Sequence, residues 1–194
     1  ACFAQPGRVP AILSTSPLER RSGVNHLIEA IALLRERGHE LMLFLLGRGR
    51  CEDAIRRQIR RRGLTSVVTL AHPSGDVTGA LRNADIFVLP TEAPRLSADT
   101  LQAMGAGVAV VAYPNTICDH LRDGETAVVC RRPAPDALAD AIEALVRDRA
   151  EAQAMAKRGM EHVRSHHAVS EEAERSVGVY RELALARTTL RLRE

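Results

Sequence analysis

Apolar residues along this chain fall into short uninterrupted runs, separated by longer segments in which they recur with helical spacing. Such short, wholly apolar runs are typical of strands buried on both faces of a parallel sheet. We therefore predict six strands, over residues 10–14, 41–46, 67–70, 86–89, 108–112 and 126–129.

The segments between these runs have the spacing of amphipathic helices. They predict helices over residues 24–37, 52–62, 76–83, 97–104, 136–147, 151–165 and 170–187, with a short turn near 117–122. Gly38 and Gly63 follow two of them as terminators, and Pro135 stands at the start of another. Strands alternating with helices predict an α/β fold: a Rossmann-like doubly wound parallel sheet of about six strands, with helices on both faces.

The chain has the length of a single domain, at 194 residues. Residues 1–9 contain Pro6 and Gly7, are followed by Pro10, and are interpreted as a linker. We expect the folded domain over residues 10–187 and a C-terminal tail over 188–194.

Composition narrows the classes of function. The net charge of +3 and the absence of tryptophan argue against a nucleic-acid partner, which needs a strong basic excess or stacking aromatics. The four cysteines form no C-x-x-C pair, so we expect reduced thiols, no metal site and a cytoplasmic location. No apolar run approaches the roughly 20 residues that span a bilayer, and no signal peptide is visible.

The most informative segment joins the fourth and fifth predicted strands. It has the sequence ADIFVLPTEAPRLSADTLQAMGAGVAVVA, over residues 84–112. The order is strand, polar loop, short helix ending in glycines, and strand. The loop follows the carboxyl end of a strand, where open α/β sheets bind their ligands.

This segment resembles the signature of retaining GT-B glycosyltransferases, also called glycosyltransferase group 1 or family 4. The resemblance extends over roughly residues 10–185. It implies that this chain is the C-terminal, donor-binding half of a two-domain enzyme, beginning at the domain's first strand. The donor substrate would be a nucleoside diphosphate sugar of the UDP or GDP type, with neither cofactor nor metal. An N-terminal half would bind the acceptor.

The family carries two glutamates in an E-x7-E arrangement, and this chain departs from it at both. Pro94 occupies the first position and Gln102 the second. Glu92, two residues before Pro94, is the remaining acidic candidate for a catalytic role, and the catalytic residues are otherwise unassigned. The resemblance implies that Gln102 contacts ribose through its carbonyl oxygen; the alternative is a side chain on the helix surface.

Backbone N–H groups from the family's Gly-Phe-Gly would contact the sugar and phosphate. Here the corresponding residues are Arg95, Leu96 and Ser97. Because backbone donors survive side-chain substitution, these three residues remain candidates for donor binding, and Ser97 is also a candidate helix N-cap.

The loop after the first strand, STSPLERRSG over residues 14–23, matches the family's first phosphate loop. Pro17 and Ser22 stand where the family has an arginine and a lysine. Arg20 and Arg21 are adjacent, and their guanidinium groups are suited to phosphate; the alternative is a solvated loop.

Gly47 and Gly49 lie between a strand and a helix, where glycines admit a phosphate or simply allow a tight turn. Asp99 and His72 have no partner at a recognisable spacing and are predicted to be surface residues or caps. The arginine-rich segment over residues 54–62 is interpreted as a solvated helix face or, alternatively, as a contact with anionic lipid.

Taken together, these features favour the donor-binding domain of a glycosyltransferase. The alternative is a degenerate, inactive domain of the same fold that serves as a scaffold or partner-binding module. A dinucleotide-binding oxidoreductase is disfavoured because no G-x-G-x-x-G follows the first strand.

Overall fold

A computed structural model describes residues 8–72, 77–91, 98–114 and 120–166. In the described ranges the chain forms β1 (Ala11–Ser14), α1 (Val24–Glu36), β2 (Met42–Leu46), α2 (Glu52–Arg61), β3 (Val68–Ala71), α3 (Thr78–Asn83), β4 (Ile86–Leu89), α4 (Ala98–Gly105), β5 (Ala109–Ala112), β6 (Val128–Val129), α5 (Pro135–Arg147) and α6 (Arg149–His166).

The strands form one parallel sheet in the order β3-β2-β1-β4-β5-β6. The chain first builds the sheet outward from β1 to β3, and then returns to place β4 on the other side of β1. The junction of β1 and β4 is therefore the topological switch point, next to which open α/β sheets bind ligands.

Successive strand residues supply the two sides of the core. Ile12 packs with the cluster that contains the buried residues of α1, α2 and α5, whereas Leu13 packs with the cluster that includes α3 and α4. Ile86 and Phe87 divide in the same way. This alternation is why the strands are apolar at every position rather than at every second one.

The predicted fold class is confirmed, and all six predicted strands are present. The last strand is shorter than predicted, at Val128–Val129 instead of 126–129. The helix expected over 151–165 extends over Arg149–His166, and the one expected over 76–83 begins at Thr78. The helix predicted over 170–187, residues 117–119 of the predicted turn and the tail lie outside the described residues.

Among the described residues, part of the sheet surface at β2 is exposed. Phe44 on β2 is 36% exposed. It borders an apolar cavity of about 300 Å³ together with Leu13, Leu46 and Ala80. Within the described ranges, the short helix α3 lies beside this region and covers it only in part.

One glycine fixes how the switch point is built. Gly23 precedes α1 with a φ of +70°, and a Cβ atom there would lie 1.8 Å from the carbonyl oxygen of Pro90. Only glycine permits both this left-handed backbone and this close approach. The start of α1 is thereby packed directly on the backbone that follows β4.

Gly23→Ala is expected to destabilise the fold by more than about 3 kcal/mol, because the added methyl group overlaps a fixed carbonyl. Gly38→Ala is the matched control: its φ is +86°, but nothing lies within 4 Å of an added Cβ. The control should lose only about 1 kcal/mol, for the backbone conformation alone. Urea unfolding measures both, and equal losses would contradict the steric explanation.

Candidate functional site

Most of the described candidate residues lie at the carboxyl edge of the sheet, in the loops that follow β1 and β2. The helices α1, α2 and α4 begin at the same edge, after β1, β2 and β4. Partial positive charge at helix N-termini makes such an edge favourable for an anionic ligand.

The loop after β1 is held by small buried side chains. Ser14, Ser16 and Leu18 are each at most 4% exposed. The Ser14 hydroxyl donates to the Ser16 hydroxyl oxygen at 3.2 Å, and the Ser22 hydroxyl donates to the carbonyl oxygen of Glu19 at 2.8 Å. The loop is therefore an ordered part of the fold, with Pro17, Glu19, Arg20 and Arg21 exposed on its outer side.

Gly47 and Gly49 have a packing role that spacing alone does not reveal. Added Cβ atoms would lie 2.5 Å from the carbonyl oxygen of Ser16 and 2.3 Å from that of Leu18, respectively. The Leu18 N–H donates to the Arg48 carbonyl at 3.0 Å, and the Cys51 N–H donates to the Leu18 carbonyl at 2.8 Å. Both glycines are thus needed to join the loops after β1 and β2, whether or not they also admit a phosphate.

Four arginines project from this joined pair of loops. Arg20, Arg21, Arg48 and Arg50 are all exposed. None of these guanidinium groups pairs with a carboxylate from the described ranges. Arg20 and Arg21 are therefore exposed on the loop after β1, which contacts the glycine loop through Leu18, and their positive charge is directed to solvent.

Two carboxylates share this edge with the arginines. Asp99, in the first turn of α4, accepts a hydrogen bond from the Thr15 hydroxyl at 2.5 Å. Glu19 accepts a bond from the backbone N–H of Arg50 at 3.3 Å. Sequence spacing does not reveal this partner of Asp99, because Thr15 lies 84 residues away and only the fold brings the two together.

A carboxylate–imidazole contact lies near the start of α2. His72 Nε2 lies 2.9 Å from Glu52 Oε2, and Arg56 also bonds the same carboxyl group. His72 is exposed, as predicted. The hydrogen bond from His72, followed by that from Arg56, lowers the pKa of Glu52, which keeps this half-buried carboxyl group ionised.

Gln102 lies on an exposed surface of α4 and borders an open groove of about 380 Å³. Thr78, Arg82 and Arg164 line the same groove, between α3, α4 and α6. The alternative of a helix-surface position describes this location, and a ribose contact remains a prediction. Glu92, Arg95, Leu96 and Ser97, together with Pro94, lie outside the described residues.

Two classes of site are absent from the part of the chain that the structure describes. No three His, Cys, Asp or Glu side chains converge there in a way that would hold a metal ion. Among the same residues, no helix has the length and apolar character needed to cross a membrane.

Comparison with known proteins identifies the family. The sequence model of glycosyl transferases, group 1, matches residues 9–148, which include all six strands. The chain belongs to the group 1 glycosyl transferases. It is 26% identical over 179 residues to the α-D-kanosaminyltransferase of Streptomyces kanamyceticus, covering 91% of this chain but 46% of that protein. The chain thus spans about half the length of the curated relatives it matches.

Solved structures of other glycosyltransferases share the fold. The C-terminal domain of a group 1 glycosyl transferase, LpcC of Francisella tularensis, superposes with a TM-score of 0.75 at 18% identity, over 83% of this chain and 89% of that one. HepE of Anabaena, in complex with UDP-glucose, gives a TM-score of 0.84 at 18% identity, over 90% of this chain and 49% of that one. At this level of identity the likeness shows the fold, and it places this group 1 chain as a GT-B-type domain.

Thr15→Val should destabilise this group 1 domain by about 1 kcal/mol, because it removes the hydrogen bond to the half-buried Asp99 carboxylate. In a double-mutant cycle with Asp99→Ala, the two losses should be less than additive by a similar amount. Thr69→Val, at an exposed position on β3, is the control and should be nearly neutral. Additive effects in urea unfolding would contradict the contact.

Proposed function

We propose that this chain is the donor-binding domain of a glycosyltransferase and binds a nucleoside diphosphate sugar of the UDP or GDP type. The observation that carries the proposal is the carboxyl edge of the sheet. There, three helices begin around the switch point, and exposed arginines flank two joined loops. Membership of group 1 adds support, as does the structural likeness to HepE, which was crystallised with UDP-glucose.

Positive charge at this edge of the sheet would stabilise a nucleoside diphosphate as the leaving group. During transfer, the bond between the sugar's anomeric carbon and the β-phosphate oxygen breaks, and negative charge grows on the diphosphate. Guanidinium groups and backbone N–H groups at helix N-termini stabilise such charge. Arg20 and Arg21 take this role in the proposal, and Gln102 takes the ribose contact.

We further propose that the complete enzyme transfers the sugar with retention to a polysaccharide, lipid-linked or small-molecule acceptor. An N-terminal acceptor-binding domain of the same protein would supply the acceptor site. This chain alone is then expected to bind donor without transferring sugar.

A cytoplasmic location, with peripheral contact at the inner face of the membrane, completes the proposal. The outer side of α2 supports it, because Arg57, Arg60 and Arg61 are exposed and basic helix faces are attracted to anionic lipid.

A second candidate function has specific support: a degenerate domain that keeps the fold as a scaffold or partner-binding module. Pro17 and Ser22 replace two cations of the family's phosphate loop, and Pro94 replaces an acidic residue. A donor-binding measurement separates the two candidates.

Calorimetric titration of the chain with UDP, GDP and their common sugar conjugates should show binding to one nucleotide. The paired change Arg20→Ala with Arg21→Ala should lower the affinity for the nucleoside diphosphate by about tenfold. The affinity for the parent nucleoside should hardly change. Arg60→Ala with Arg61→Ala removes the same charge from α2 and is the control. If the chain binds none of these ligands, the result favours the scaffold function. An equal loss of affinity for nucleoside and diphosphate would reject the role assigned to Arg20 and Arg21.

Gln102→Glu should tighten binding of the same nucleotide by roughly threefold to tenfold, because a carboxylate accepts hydrogen bonds from ribose hydroxyls more strongly than an amide. The gain should disappear with the 2′,3′-dideoxy nucleotide, which offers no hydroxyls. An unchanged affinity, or a gain that persists with the dideoxy form, would place Gln102 away from the ribose.

A further inference from the structure

Two carboxylates occupy positions at the carboxyl edge that would otherwise suit phosphate. Asp99 lies in the first turn of α4, where the helix N-terminus attracts negative charge. Its Oδ2 atom is held by the Thr15 hydroxyl at 2.5 Å, and the residue is half-buried. An internal anion therefore already satisfies part of the electrostatic attraction that this helix start would offer to a ligand.

The second carboxylate lies at the neighbouring loop. Glu19 Oε1 accepts from the backbone N–H of Arg50, immediately before α2 begins at Glu52. Backbone N–H groups in such a glycine-bearing loop are the usual donors to phosphate oxygens. One of them is engaged by this chain's own side chain.

Both contacts originate from the same loop. Thr15 and Glu19 lie four positions apart after β1, and each joins that loop to another element: Thr15 to α4, and Glu19 to the residues before α2. The loop that carries Arg20 and Arg21 is thus fixed on one side by a hydroxyl–carboxylate bond and on the other by a carboxylate–amide bond.

From this arrangement, which rests on the proposed donor site, we propose that Asp99 and Glu19 are internal competitors for the donor's diphosphate. They lower the affinity of the site for phosphate charge and thereby set its preference among nucleotide ligands. A bound diphosphate either displaces these carboxylates from Thr15 and Arg50 or binds against their repulsion. The four exposed arginines supply the opposing attraction.

The two carboxylates should differ in how much they lower the affinity for diphosphate. Asp99 is half-buried and Glu19 is exposed. Because solvent and salt screen exposed charges more strongly, neutralising Asp99 should raise the affinity for diphosphate more than neutralising Glu19 does. The effect of either change should grow with the number of phosphates on the ligand, since the competition acts on phosphate charge alone.

The test is calorimetric titration of the 194-residue chain with a nucleoside, its monophosphate and its diphosphate, in uridine and guanosine series. The variants are Asp99→Asn and Glu19→Gln, singly and together. Both new side chains retain an oxygen acceptor, so the hydrogen bonds to Thr15 and Arg50 can persist while the charge is removed. Glu40→Gln, an exposed position just before β2 at the opposite edge of the sheet, is the control for net charge.

Asp99→Asn is expected to tighten diphosphate binding by roughly threefold to tenfold, and monophosphate binding by less. Nucleoside affinity should not change, and Glu40→Gln should change none of the three affinities. The strongest support would come if the double variant binds the diphosphate and the unaltered chain does not.

Two results would overturn it, and they have different consequences. If the unaltered chain binds diphosphate and neutralisation gives no gain, or an equal gain for nucleoside, the competitor role is rejected and the donor site stands. If neither the unaltered chain nor any variant binds a nucleotide, both the competitor role and the donor site are rejected.

Discussion

The contact on which the site depends is the approach of the Gly23 backbone to the Pro90 carbonyl. It sets the start of α1 directly against the residues that follow β4, across the point where the sheet reverses its order. The sheet itself is held by apolar burial on its two faces. This single position without a side chain decides how closely the loops after β1 and β4 can approach, and therefore the shape of the edge between them.

The rest of the edge is assembled from that junction by backbone contacts. The Leu18 backbone bonds to the loop after β2, and the glycines at 47 and 49 leave room for it. Arginines are left on the outer side, while Thr15 and Glu19 engage carboxylate and amide groups at the starts of α4 and α2. Positive and negative charge are thus interleaved at one edge of the sheet, unlike the cation-rich phosphate loop that the family signature implies.

The fold could be predicted from sequence because its signals are local. Wholly apolar strands, helical periodicity and terminating glycines each require only a short window of residues, and they located all six strands. The exposure of Phe44 among the described residues could not be predicted, since it depends on how far α3 extends over neighbouring strands. The contacts of Asp99 and Glu19 were equally invisible, because their partners lie 84 and 31 residues away. Spacing suggested a phosphate role for Gly47 and Gly49, and only the structure revealed their packing against Leu18.

The central claim is that the edge beside β1 and β4 is a nucleotide-binding surface. The most direct measurement is backbone amide NMR of the chain during titration with UDP and GDP. The account predicts shifts concentrated in residues 15–23, 47–51 and 98–102, with little change at the opposite edge around Glu40. Shifts centred elsewhere, or none with either nucleotide, would contradict it.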